Sequence, residues 1–177
     1  MRTSLQAREI DTASTIERGA LRILSSDAPY DVRGQFDPEE TLTVFSNAIE
    51  QALTDGFSGF RAAANMSWAL DLEDGPERLI TYEALLRSLF ASARATGLCL
   101  YDRHRMPLDV IDGALSTHPV VCMHGGYSRN AFYDPRVRSL RRVDPTSVTS
   151  KLTRLDPRSR DAHRQSPTGR QKDRGSR

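Results

Sequence analysis

Residues 59–101, GFRAAANMSWALDLEDGPERLITYEALLRSLFASARATGLCLY, read as strand, helix, strand. The apolar runs Gly59–Ala64 and Leu98–Tyr101 have the length of strands buried on both faces. Between them Gly75-Pro76-Glu77 opens a helix, with Leu79, Tyr82, Leu86, Leu89, Phe90 and Ala93 on one side and Gly97 as its stop. Outward in both directions the alternation continues. Upstream, Asp37-Pro38-Glu39-Glu40 sets an N-cap, a proline in the first turn and a glutamate in the capping-box position, ahead of Leu42, Phe45, Ile49, Ala52 and Leu53. Downstream, Met106-Pro107 opens a shorter helix carrying Val110, Ile111, Ala114 and Leu115. It stops near Thr117, because Pro119 disfavours helical geometry at His118. Two more short apolar runs, Ala20–Leu24 and Val120–Met123, complete the strand set. The pattern predicts an α/β body around a mostly parallel sheet flanked by helices.

Composition narrows what this body is for. The chain has 177 residues, 38% apolar and 27% charged, which suits one domain with a tail. No apolar run reaches the length of a membrane span, and the N-terminus lacks a secretory signal's apolar core. Cys99 and Cys122 lie in apolar runs with no CxxC, as reduced core residues of a cytoplasmic protein do. The net charge of +2 conceals an asymmetry: residues 136–177 hold 13 Lys/Arg against 4 Asp/Glu, residues 1–135 hold 12 against 19. The segment from residue 136 has no aromatic residue and is expected to be a disordered basic tail. It is either a solubilising appendix, an intramolecular counter-charge to the acidic body, or a weak, non-specific nucleic-acid contact.

In open α/β sheets ligands lie at the carboxyl ends of the strands. Three clusters follow the expected strands: Asn65-Met66-Ser67-Trp68, then Asp102-Arg103-His104-Arg105 after Tyr101, then His124-Gly125-Gly126. Each has two readings. Trp68 is either a packing anchor or an aromatic wall. Asp102 and Arg103 are a rim ion pair or helix cap, or a carboxylate and an anion contact. His124 begins a turn or orients a ligand. No phosphate loop, dinucleotide fingerprint, zinc-protease motif or nucleophile elbow occurs, and His104, His118, His124 and His163 lack metal-ligand spacing. The sequence therefore calls for no catalytic residue, cofactor or metal.

The segments GFSGFRAAANMSWALDLEDGPERLITYEALL, LCLYDRHRMP, ALSTHPVV and GGYSRNAFY closely resemble the MEDS family, the sensory domain named for methanogen and methylotroph regulators. The resemblance lies in Ala64–Ala69, Glu77–Leu79 with Tyr82-Glu83, Cys99–Arg103, Thr117–Pro119, and Gly125-Gly126 with Asn130–Tyr133. It covers roughly residues 8–135, which implies a partial sensory domain over residues 1–135, with 136–177 as the tail. Ala64-Asn65 replaces the family's Gly-Glu, and Ala131 its late proline. The resemblance implies a three-layer fold similar to recombinase ATPases, N-terminally truncated by one strand–loop–helix unit. Loss of that strand leaves an open sheet edge, available to a partner or to a second copy in a homodimer.

It further implies a non-catalytic sensory or regulatory domain of bacterial signalling or transcription control, binding a small ligand or a signalling protein. The expected ligand-binding residues are Asn65, Ser67, Trp68, Tyr101, Asp102, Arg103 and His124. Trp68 and Tyr101 would form the aromatic wall, Arg103 an anion contact, and Asn65, Asp102 and His124 the polar orientation. The alternatives are a nucleic-acid-associated regulator acting through the tail and a degenerate nucleotide-binding ATPase-like protein.

Overall fold

The computed structural model describes residues 5, 7–25, 36–139 and 141–159. In chain order the elements are α1 (Thr12–Glu17), α2 (Pro38–Thr54), β1 (Phe60–Asn65), a 3-10 helix (Met66–Asp71), α3 (Gly75–Ser92), β2 (Ala95–Leu100), α4 (Leu108–Thr117), β3 (Val120–Met123), β4 (Gly126–Arg129) and α5 (Pro145–Leu155). Helix starts follow local chemistry. The Asp37 carboxylate accepts from Glu39 N at 2.8 Å and Glu40 N at 3.0 Å, with Pro38 in the first turn. Pro119 leaves His118 extended at φ −108°, ψ 122°, which ends α4 as expected.

β1 and β2 pair in parallel, from Phe60 opposite Ala95 to Asn65 opposite Leu100, with α3 as the crossover. This small parallel sheet with its helices makes the body α/β. The strands are not buried on both faces as expected. Residues alternate along each between half-buried and exposed, and Leu98 and Leu100 stand 44% and 49% exposed. Helices α2 and α3 cover the other face, where Phe45 meets Phe60 and Phe90 edge-on at ring separations of 6.4 and 6.5 Å. Gly97 does not stop α3, which ends at Ser92; it lies in β2, where a Cβ would come 2.4 Å from the Phe90 ring.

Two other strand expectations are corrected. Val120–Met123 does not extend the parallel sheet but folds back on Gly126–Arg129 as an antiparallel hairpin. The reason is its two-residue turn: His124 (φ 50°) and Gly125 (φ 80°) both take the left-handed geometry that matches strand twist and reverses the chain. Ala20–Leu24 is no strand: residues 21–25 pair with no other strand among the described residues, and Leu24 is 58% exposed.

The core lies between α3, α4, α5 and the 3-10 helix, around Met66, Leu79, Ile80, Tyr82, Val110 and Val148. The last of these belongs to the segment expected to be disordered. Instead, residues 145–155 form α5, which buries Val148 and Leu155, while Lys151 forms a salt bridge with the buried Asp112 of α4. The apolar residues of this basic stretch fall on one helical face, so coiling gathers a stripe that composition alone does not reveal. The Lys151–Asp112 salt bridge is a contact between the basic segment and the acidic body. Residues 160–177 lie outside the described residues. No described helix is long and apolar enough to cross a membrane.

Candidate functional site

The parallel pairing brings the ends of β1 and β2 side by side, and the expected site residues divide there. Asn65 caps the 3-10 helix, its side-chain oxygen accepting from Ser67 N at 3.0 Å. Trp68 is a packing anchor, 9% exposed, with its ring 4.5 Å from that of Phe36. Asp102 accepts from His104 N at 2.9 Å and so closes the turn after β2, while Arg103 is exposed beside His104. His124 sits in the β3–β4 turn with Nε2 3.4 Å from Asp156. Asn65 and Tyr101 thus lie at the ends of paired strands, Asp102 and Arg103 continue from Tyr101, and His124 belongs to a separate hairpin.

Tyr101 points inward, to a cluster built around Glu83. This glutamate sits in the apolar face of α3 between Leu79 and Leu86 and is 2% exposed. One carboxylate oxygen, Oε1, accepts from the Tyr101 hydroxyl at 2.6 Å. The other, Oε2, lies 3.5 Å from Cys99 Sγ and 3.3 Å from His118 Nε2. Cys99 comes from β2 and His118 from the residue after α4, so three elements converge on one carboxylate.

The orientation of His118 follows from its backbone. Held extended by Pro119, it turns its ring so that Nδ1 lies 2.8 Å from the Ala114 carbonyl. A carbonyl only accepts, so Nδ1 carries a proton and Nε2 faces Glu83. Buried Asn130 fixes the same corner, its amide donating to the Leu115 carbonyl and to that of His118 at 2.7 Å.

In this poorly solvated place, burial and the mutual attraction of the two groups pull in opposite directions. Burial pushes the Glu83 carboxyl up, but the hydrogen bond and charge of His118, with the Tyr101 and Cys99 contacts, outweigh it and hold it below its ordinary value. Burial pulls the His118 imidazole down, yet Glu83 and the Ala114 carbonyl carry it above its ordinary value. For Cys99, burial and the neighbouring carboxylate act together and push the thiol well up. It is therefore no activated nucleophile. Alongside Cys99, a small apolar recess of about 10 Å³ is lined by Phe45, Ala62, Ala64, Leu86 and Phe90 among others.

Glu83, Cys99 and His118 are absent from the seven residues expected from sequence. The available signal was a glutamate at the helical spacing of Leu79, Leu86 and Phe90, where a charge has no place without a partner. All three also lie within the segments that carry the family resemblance.

Comparison with known proteins supports the family resemblance. The family model for MEDS (methanogen/methylotroph, DcmR sensory domain) matches residues 1–119, a span that holds all four members of the cluster and ends before the β3–β4 hairpin. No curated protein and no solved structure matches the chain. With more than half of its length matched, the chain belongs to the MEDS family of sensory domains.

Proposed function

We propose that this chain is a non-catalytic sensory or regulatory domain that binds a small ligand at the carboxyl ends of β1 and β2. The observation that carries the reading is the position of Tyr101. It precedes the exposed turn at Asp102 and Arg103, and its hydroxyl holds Glu83, which in turn holds His118 at the end of α4. A contact made at the turn is thus tied to β2, α3 and α4 at once. Asn65 and Ser67 border the same strand ends, with Arg103 as the anion contact. The outer edges of β1 and β2 pair with no other strand among the described residues, which favours a protein partner or second copy as the recipient of the signal.

The test is a thermal-shift screen of the full chain, in chelator, against small organic acids, amines and alcohols. A ligand at a hundred times its dissociation constant stabilises by about 2.7 kcal/mol, roughly 5–10 °C for a chain of this size. Arg103→Ala should remove the shift and leave the ligand-free Tm nearly unchanged, since its side chain is exposed, while Asp102→Ala should remove the shift with a small loss of Tm from the turn hydrogen bond to His104 N. A screen without shifts, or a shift indifferent to both changes, overturns the reading.

A further inference from the structure

We propose that Glu83, Cys99 and His118 form a binding site for a divalent transition-metal ion, with Zn2+ the ion their donors suit best. The inference goes beyond the ligand-binding reading and does not depend on it. One carboxylate oxygen, one thiol sulfur and one imidazole nitrogen lie within 4.8 Å of one another. A tetrahedral Zn2+ with bonds of about 2.0 Å to oxygen and nitrogen and about 2.3 Å to sulfur has O–N edges of about 3.3 Å and O–S edges of about 3.5 Å. The Oε2–Nε2 and Oε2–Sγ separations are 3.3 and 3.5 Å. Two edges of the coordination polyhedron are therefore already in place, and the third, Nε2–Sγ, is no longer than 4.8 Å against about 3.5 Å in the tetrahedron.

The surroundings are those of metal ligands. His118 Nδ1 donates to the Ala114 carbonyl, so an incoming metal ion that displaces the Nε2 proton finds the Nε2 lone pair already aimed at the site. Tyr101 holds the distal carboxylate oxygen, so Glu83 offers a single oxygen, Oε2. A thiolate and a carboxylate neutralise the two positive charges of the ion, so the occupied site carries no net charge into a buried place. The sulfur donor disfavours Mg2+ and Ca2+, which take oxygen ligands. Three protein donors leave the fourth tetrahedral position to a water or to a donor atom of an incoming molecule.

The test uses the full chain stripped with chelator and titrated with Co2+, which reports tetrahedral geometry and thiolate ligation in its absorption spectrum. We expect saturable one-to-one uptake, with the intense visible bands of tetrahedral Co2+ and a thiolate charge-transfer band, all displaced by Zn2+. Cys99→Ser should abolish the charge-transfer band, whereas Cys122→Ser, at an exposed cysteine of the hairpin, should leave it intact. Tyr101→Phe should weaken binding by about 10–100-fold, the usual effect of losing a group that orients a ligand. The wild-type spectrum decides the matter even where a substitution unfolds the chain. Absence of saturable uptake, an octahedral spectrum without charge transfer, or a band lost with Cys122 but not with Cys99 overturns the site. Such a failure leaves the ligand-binding reading standing, because that is measured in chelator with organic compounds.

Discussion

Removing Glu83 is the most informative single perturbation. In Glu83→Ala the buried carboxylate disappears, the Tyr101 hydroxyl loses its 2.6 Å acceptor, and His118 loses its counter-ion at 3.3 Å. Deleting one partner of a buried ion pair costs about 3–5 kcal/mol. The His118 side chain is 24% exposed and can shed its proton, so the lower end, about 3 kcal/mol, is expected. At about 3 °C per kcal/mol for a chain of this size, the Tm should fall by roughly 9 °C. The assay is urea unfolding by circular dichroism at pH 6 in chelator, on wild type, Glu83→Ala, His118→Ala and the double variant. The double-mutant cycle isolates the pair, and a coupling of about 2 kcal/mol is expected. A coupling near zero, with single losses below about 1 kcal/mol as for exposed pairs, would refute the claim that this carboxylate ties α3 to the end of α4.

The same pair sets a pH dependence. His118 is raised from 6.5, so its contribution is full below that value and is lost as pH rises through its folded-state pKa. Glu83 is lowered from 4.5, so its contribution is full above that value and is lost as pH falls through its own. In chelator, the stability gap between wild type and Glu83→Gln should therefore peak between pH 4.5 and 6.5; a gap flat from pH 5 to 9 would contradict the assignment. Gly97→Ala places a Cβ 2.4 Å from the Phe90 ring and Gly113→Ala one 2.7 Å from Ile80. Each should destabilise by about 1–3 kcal/mol through overpacking, measured by denaturant midpoint. Val148→Ala should lower stability by about 2 kcal/mol, because the side chain is fully buried in the core. No loss would mean that α5 does not dock.

The α/β class was legible because it rests on local signals. Asp37-Pro38 and Gly75-Pro76 mark helix starts, Pro119 marks an end, and the runs at 60–65 and 95–100 are strands within a few residues of their expected bounds. What was lost is pairing. Val120–Met123 has the composition of a buried parallel strand, but a strand's partner is set by the turn after it, and here both turn residues adopt positive φ. The helix in the basic segment is hidden for a related reason: a few apolar residues in a charged stretch matter only once a helix puts them on one side and a core stands ready to receive them.

The candidate site divides in the same way. The position of Asn65, Tyr101, Asp102 and Arg103 at or just after strand ends is legible because a strand end is a local feature, and parallel pairing brings neighbouring strand ends together by rule. Glu83, Cys99 and His118 are separated by 16 and 19 residues and lie on a helix, a strand and a helix end, with no spacing to connect them. By itself the sequence determined which residues coil and which extend, since that depends on near neighbours, caps and periodicity. Only the tertiary structure decided that a glutamate in an apolar helical face would meet a thiol, a phenol and an imidazole. Desolvation gives the reason: a carboxylate in that face is tolerable only where long-range packing delivers a cation and donors to it.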